Sequence, residues 1–299
     1  MKKSIISSIF VAALLLAGCV DPDTTSLDIV GMFNGSSVRV EQRFADSQAF
    51  NAVAGFATVK APVENYRIFV HSDTHITDSR DNLEYFIHQY RDDLDCPVAL
   101  HLGDLIDAQN HWEYMKSAYT DIPQNPNKPY GDTLFVTLGN HDIYFGQWPQ
   151  FKQYWGTATY YFIVETPSGK RDLFIILDSA EGTLGSDQMA WFKDVLNWSD
   201  TQDFRHKVVC THTHLFKSDG SQGHTSNYEL EETYELMGLL SQHDVEMYWC
   251  GHDHSREVTT IGGVTYLVVD ALKESANPAA YMIATMGEGI EYRFVEVPK

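Results

Sequence analysis

An α/β fold is what this 299-residue sequence predicts, on three observations. From Tyr66 onward, short apolar runs alternate with helical patterns, the signature of βαβ units and parallel strands. The chain is 43% hydrophobic and 13% aromatic, enough for a large core. Five of the apolar runs end in oxygen or imidazole donors, and in open α/β sheets binding sites form outside the carboxyl ends of the strands.

The N-terminus reads as a targeting segment. Lys2 and Lys3 precede the apolar stretch "IISSIFVAALLLA", which is too short for an ordinary membrane span. The stretch closes on Leu16-Ala17-Gly18-Cys19. Small residues directly before a cysteine resemble a bacterial lipobox, which implies cleavage before Cys19 and acylation of that residue. The competing reading is a plain secretory signal in which Cys19 is incidental. Several acyl chains anchor a protein stably, whereas one is marginal. Val20 rather than Asp follows, which points to the outer membrane. We expect residues 1–18 to be a signal peptide, 19–60 a lipid-anchored tether and N-terminal extension, and 61–299 one catalytic domain.

Within 20–60, "DPDTTS" reads as flexible. "VRVEQRFADSQAFNAVAG" reads as a short helix anchored by Phe44, Phe50 and Val53. The strand-like runs "YRIFVHS", "PVALHL" and "TLFVTL" then alternate with "LEYFIHQYRDDL" and "FGQWPQFKQYW". "YYFIVETPSGKRDLFIILDS" is a hairpin around Pro-Ser-Gly. "SDQMAWFKDVLNW" follows as an amphipathic helix capped by Ser186. "HKVVCTH" is a strand, "SNYELEETYELMGLLSQH" a helix opened by a Ser226/Glu229 capping box, and "VEMYWCGHDH" another strand. The end of the chain is β-rich. Beyond Cys19, Cys96, Cys210 and Cys250 adjoin apolar runs and are expected as free, buried thiols.

The net charge of −20 argues against binding a nucleic-acid backbone. It does not exclude a small anionic substrate, because local cations can reverse the field inside a cleft.

The strand ends carry Asp73 and His75 in "SDTH", Asp104 in "LGD", Asn140 and His141 in "GNHD", His212 and His214 in "THTH", and His252 and His254 in "GHDH". Carboxylates, an amide and imidazoles together suit divalent ions of intermediate hardness. A carboxylate can bridge two such ions, the clamp used for in-line attack on a phosphoryl centre. Gly103, Gly139 and Gly251 each stand one residue before a candidate ligand or catalytic group, where glycine lets the backbone turn sharply. For any one of these histidines a structural role is the plainer reading. All five strand ends in this order make that reading untenable.

Asp73-Thr-His75, Gly103-Asp104, Gly139-Asn140-His141-Asp142, His212 and Gly251-His252-Asp253-His254 resemble the signature of calcineurin-like metallophosphoesterases, over roughly residues 66–255. The resemblance implies two mixed β-sheets packed face to face as a sandwich flanked by helices. It implies two divalent metal ions, with Asp73, His75 and His254 on one and Asn140, His212 and His252 on the other. Asp104 would bridge them. His141 would face the substrate as the catalytic group, with Asp142 orienting the turn behind it. Purple acid phosphatases carry a tyrosine ligand three residues after the bridging aspartate. Asp107 stands there in this chain, so no iron–tyrosinate centre is expected.

The activity implied is hydrolysis of phosphate esters by a metal-bound hydroxide. The alternatives are a cyclic-nucleotide type of phosphodiesterase, or a non-catalytic surface lipoprotein that binds phosphate ligands or metal. Lys217, in the 215–227 loop, and His214 are the candidate substrate contacts. His224 could also grip a substrate phosphate, and it and Lys217 read equally as solvated loop residues; His111 could reach the cleft, but a surface position is the plainer reading.

Overall fold

The computed structural model describes residues 38–77, 79–107, 111–128, 133–215 and 228–299. The 1–18 segment, Cys19, Lys217, His224 and Ser226 lie outside the described residues.

Two mixed sheets form the frame. The first has seven strands in the order β1-β5-β6-β7-β8-β10-β9. These are β1 (Ala57–Lys60), β5 (Tyr160–Glu165), β6 (Arg171–Ile176), β7 (Phe204–Cys210), β8 (Met247–Cys250), β9 (Glu257–Ile261) and β10 (Val264–Val268). The second has five, in the order β12-β11-β2-β3-β4. These are β2 (Tyr66–His71), β3 (Val98–His101), β4 (Leu134–Val136), β11 (Ala280–Met286) and β12 (Ile290–Glu296). The strands that matter for the site run parallel within their sheets: β2, β3 and β4 in one, and β6, β7 and β8 in the other. The expected hairpin is β5–β6, paired antiparallel.

Alternation along the strands builds the layers. Ile68, Val70, Val98 and Leu100 point inward to meet Phe162, Phe174, Val208, Trp249 and Leu267 of the other sheet. Phe69 and Ala99 point outward, under helices α2 (Asp81–Asp92), α3 (Trp112–Asp121) and α4 (Trp148–Trp155). On the far face, Leu173, Ile175, Val209 and Tyr248 pack under α5 (Gly185–Ser199) and α6 (Leu230–Gln242). Strands covered on both faces need the near-continuous apolar runs that the sequence shows. No helix among the described residues is long and apolar enough to cross a membrane.

Helix α1 (Val40–Ala54) differs from expectation. Phe50 and Val53 are exposed, Val53 at 91%. The buried stripe is Val40, Arg43, Ser47 and Asn51. The reason is the surface it covers, a loop whose polar groups need partners. Arg43 Nε donates to Asp178 Oδ2 (2.7 Å) and Nη2 to Asp178 Oδ1 (3.1 Å), both side chains fully buried. Asn51 Nδ2 donates to the Thr159 carbonyl (2.8 Å), and Ser47 Oγ accepts from Ala158 N (3.1 Å). The region expected as an extension thus contributes this helix and the edge strand β1, which pairs parallel with β5.

Two helix caps also differ. Glu41 of α1, not Ser186, caps α5: its carboxylate accepts from the Ser186 and Asp187 amides and from the Ser186 hydroxyl. Glu229 is itself the N-cap of α6, with extended backbone and no side-chain cap bond, so it does not sit at the third helical position that a capping box requires.

Cys96, Cys210 and Cys250 are free and buried, and burial pushes the Cys96 thiol up to about 12. Cys210 pairs with Trp249 across β7–β8. Cys210 and Cys250 are therefore one position out of register: Cys210 faces the inter-sheet core and Cys250 the outer one.

Removing one partner of a buried ion pair leaves the other uncompensated. Arg43→Met should therefore lower stability by about 3–5 kcal/mol, read from urea unfolding. A loss below about 1 kcal/mol, the scale of an exposed pair, would show that this pair does not anchor α1.

Candidate metal centre

The carboxyl ends of β2, β3 and β4 from one sheet meet those of β7 and β8 from the other. The parallel ladders continue past the strands. Asp73 N donates to Gly103 O, His75 N to Asp104 O and Gly251 N to His212 O, at 2.9–3.1 Å. The backbone then turns into the left-handed region at Asp73 (φ 51°), His75 (41°), Asp104 (56°), His252 (74°) and His254 (61°). Asp and His tolerate that region better than most residues, and non-glycine outliers cluster at functional sites.

Two of the three glycines act in a different way from the one expected. Gly103 does turn with φ 94°. Gly139 and Gly251 serve close approach. A Cβ at Gly251 would sit 1.8 Å from Ser72 Oγ and 2.5 Å from Asp73 Oδ2, and one at Gly139 would sit 2.2 Å from Asp104 N and Oδ1.

Asp142 ties two of these loops together. Its buried carboxylate accepts from the amides of Gly139 (2.9 Å), Asp104 (3.0 Å) and Leu105 (2.8 Å). Burial and Asp104 push its carboxyl up to about 7, against the pull of these donors.

Two groups of donors result. In the first, Asp73, His75 and His254 converge: His75 Nε2 lies 3.1 Å from His254 Nε2, which is 3.3 Å from Asp73 Oδ1. In the second, Asp104, His212 and His252 converge. Asn140 Oδ1 joins them, 3.0 Å from His212 Nε2 and 3.1 Å from His252 Nδ1. Asp104 Oδ2 faces both groups, 3.6 Å from His75 Nε2 and 3.3 Å from His212 Nε2. All seven side chains named from the sequence as ligands are brought together.

The residues fit divalent cations. Asp73 Oδ1 is buried and takes no well-formed hydrogen bond, a costly state unless a cation faces it. In each group two imidazole nitrogens also face each other, His75 Nε2 and His254 Nε2 at 3.1 Å and His252 Nδ1 and His212 Nε2 at 3.2 Å.

The charge balance gives the same picture. Burial alone would depress His75, but Asp107, Asp73 and Asp104 outweigh it and raise it to about 10. Burial likewise opposes, and Asp104 overcomes, at His212, which rises to about 9. His252, buried beside His212, falls to about 4. Asp73 and Asp104 are held low despite burial by the histidines around them. In this state, protons on His75 and His212 supply the positive charge that the carboxylates demand.

His141 stands beside the first group, its ring 4.5 Å from that of His75 and at right angles to it. Its amide donates to Asp104 Oδ1 (2.8 Å), and its Nδ1 is 3.1 Å from Asp107 Oδ1. Hydrogen bonding to His141, then to His75, holds the Asp107 carboxyl low. His75, Asp107 and His141 also fall within metal-binding reach of one another, but the same closeness suits an Asp107–His141 ion pair.

The substrate contact expected of His214 is not what the structure offers. Its side chain is 3% exposed, and its Nε2 lies 2.9 Å from Asp253 Oδ2. It lines a small space with Leu215, Tyr248 and Tyr266. Three residues went unassigned in the sequence. For Asp107, a carboxylate three residues after Asp104 is a usable signal beyond the missing tyrosine. The Tyr144 hydroxyl accepts from Asn140 Nδ2 (2.8 Å), and its ring lies 4.8 Å from that of His141. Lys273 Nζ donates to His254 Nδ1 (2.8 Å). Nothing near Lys273 in the sequence marks it.

Solved structures share this architecture. A dimetal phosphatase from Danio rerio matches 77% of this chain and 95% of its own at 14% identity, with a TM-score of 0.57. The anchor protein of the inner membrane complex of Plasmodium matches 78% and 84% at 16% identity, with a TM-score of 0.56. A purple acid phosphatase from yellow lupin seeds matches 77% and 52% at 14% identity, also with a TM-score of 0.56. No curated protein sequence is significantly similar to the chain. At such identities the structures share the fold alone, but the family model for calcineurin-like phosphoesterases matches residues 66–256. The chain belongs to the calcineurin-like phosphoesterase family.

Proposed function

We propose that this phosphoesterase hydrolyses small phosphate esters at a centre of two divalent ions. The observation that carries the reading is Asp104, whose Oδ2 faces a donor nitrogen of each group. Asp73, His75 and His254 would hold one ion and Asn140, His212 and His252 the other. Bound there, the ions supply Lewis-acid stabilisation of phosphoryl charge and an activated water.

The chain's own residues do the rest. Tyr144 takes the Asn140 amide hydrogen, which leaves Oδ1 turned to the ions. Asp142 holds the Asp104 and Asn140 loops at a fixed spacing through its three amide bonds. Asp107 faces His141 Nδ1, so a proton there is held by the carboxylate and Nε2 is left to protonate the departing oxygen. Attachment to a membrane through Cys19 is part of the proposal and is supported by the sequence alone.

Asp104→Asn should lose at least one ion together with activity, because two cations at short range would lose the charge that shields them from each other. His141→Ala should keep both ions and lose turnover by roughly 10²–10⁴-fold, the scale of a lost general acid. That loss should shrink for p-nitrophenyl phosphate, whose leaving group barely needs a proton. Metal analysis by mass spectrometry beside kinetics on good and poor leaving groups checks both variants. Metal loss from His141→Ala would make His141 a ligand and overturn the assignment.

Metal uptake should also release protons. His75 and His212 have raised values, near 10 and 9, so both are protonated at pH 7 in the metal-free protein. Each must be neutral to bind. Apparent Mn(II) affinity should therefore rise with pH up to about 9–10, with release of about two protons per protein at pH 7. Titration calorimetry in buffers of different ionisation enthalpy measures the release. Heats that do not depend on buffer would contradict it.

A further inference from the structure

We propose that His101 and Thr74 are positioning residues of this centre, and that the hydrogen-bond chain through them sets the affinity of the first ion, the one assigned to Asp73, His75 and His254, and leaves that of the second alone. The inference rests on the dinuclear reading above and adds to it two residues that are not ligands.

His101 closes β3, and Thr74 stands between Asp73 and His75 in the loop after β2. Both residues are buried, at 0% and 2% exposure. A backbone amide can only donate, so Gly103 N, 3.1 Å from His101 Nδ1, gives its hydrogen to the lone pair there. The ring hydrogen is therefore on Nε2, which lies 2.9 Å from Thr74 Oγ1. A carbonyl can only accept, so the Thr74 hydroxyl gives its own hydrogen to Leu105 O, at 2.8 Å, and takes the one from His101. The direction of the whole chain is fixed. Burial above all pushes the His101 ring down to about 3, which keeps it neutral as the chain requires.

The chain starts at Gly103 and finishes at Leu105, the two neighbours of Asp104, and passes through the residue between Asp73 and His75. It therefore frames three donors of the first ion, because Asp104 faces that group too, with Oδ2 3.6 Å from His75 Nε2. The 73–75 loop needs such a hold. Asp73 and His75 both take positive φ, 51° and 41°, and such backbone persists only where its surroundings over-determine it. Ladder bonds from Asp73 N to Gly103 O and from His75 N to Asp104 O fix the main chain on either side, and the Thr74 hydroxyl fixes the residue in the middle. Asp104 has other holds, since Asp142 accepts from its amide and from that of Leu105, and His141 N donates to its Oδ1. Asn140, His212 and His252 take no part in the chain. Cutting it loosens the Asp73–His75 loop and leaves the second group in place.

The test measures Mn(II) affinity by calorimetry in two one-ion backgrounds. His252→Ala keeps the first group whole, and His254→Ala keeps the second. Thr74→Val keeps the shape and loses the hydroxyl, whereas Thr74→Ser keeps the hydroxyl and loses a methyl. In the His252→Ala protein, Thr74→Val should weaken binding by about 10–100-fold, the scale of a lost partner behind a ligand. Thr74→Ser should weaken it by less than about threefold. In the His254→Ala protein both should stay within about threefold. His101→Leu should match Thr74→Val, and the two together should lose no more than either alone, because both cut one chain. His101→Gln, whose amide offers an acceptor and a donor, should recover part of the loss. A packing role would instead favour valine over serine and touch both groups. Unchanged affinity in the first background, equal losses in both, or Thr74→Ser as weak as Thr74→Val overturns the proposal. So do losses that add in the double variant. If His101→Leu does not fold, the Thr74 pair decides alone. If a background binds no Mn(II), titration of Thr74→Val beside wild type decides, where one of two steps should fall and the other hold. Wild-type protein that binds fewer than two Mn(II) ions refutes the dinuclear reading itself, and this proposal with it, a result visible without any variant.

Discussion

Everything at this centre depends on backbone that L-residues ordinarily avoid. Five of the seven candidate ligands have positive φ. Each costs of order 1–3 kcal/mol and persists only where the surroundings over-determine it. Here they do. Parallel ladders extend hydrogen bonding beyond the strand ends, and Asp142 closes three amides around one carboxylate. Left-handed turns fold the side chains back over the ends of their own strands, so ligands from two separate sheets share one small volume.

The second constraint is charge. Asp73 and Asp104 are buried, and buried carboxylates survive only when they are paired. Asp73 and Asp104 in turn raise His75 and His212, so the cluster draws positive charge to itself. Divalent ions at the proposed centre would take over that balancing role. Preorganisation of this kind is where electrostatic catalysis finds most of its advantage.

The arrangement of the strands and the gathering of the site were legible in the sequence to different depths. Alternating apolar runs exposed the α/β order, and the two mixed sheets expected from the family resemblance are present. Strand-end donors could be named because each sits where a near-continuous apolar run stops at a polar residue. What stayed hidden depends on tertiary contact. Helix α1 looked as if it should bury Phe50 and Val53, yet its partner surface is polar, so Arg43 and Asn51 go inside. His214 carries the same chemistry as His212, but two residues further along the loop it turns under Asp253. Tyr144 and Lys273 touch the site from different elements, and no local pattern marks either of them. Gly139 and Gly251 were noticed for the right position and the wrong reason, since close approach between loops does not show in one stretch of chain.

Helix α1 also bears on how load travels through the molecule. Arg43 grips Asp178, and the next residue, Ser179, accepts through Oγ from the amides of His212 and Thr213. Only one peptide unit therefore separates the N-terminal helix's strongest tie from the hydrogen bonds that seat a candidate ligand. Tension applied to the chain ahead of Val40 would load the bond from Val40 N to Glu181 Oε2 (3.0 Å) and then that ion pair, and a cut placed at residue 61 would remove both. The segment ahead of the first core strand works as a brace whose far end rests against the loop that carries His212.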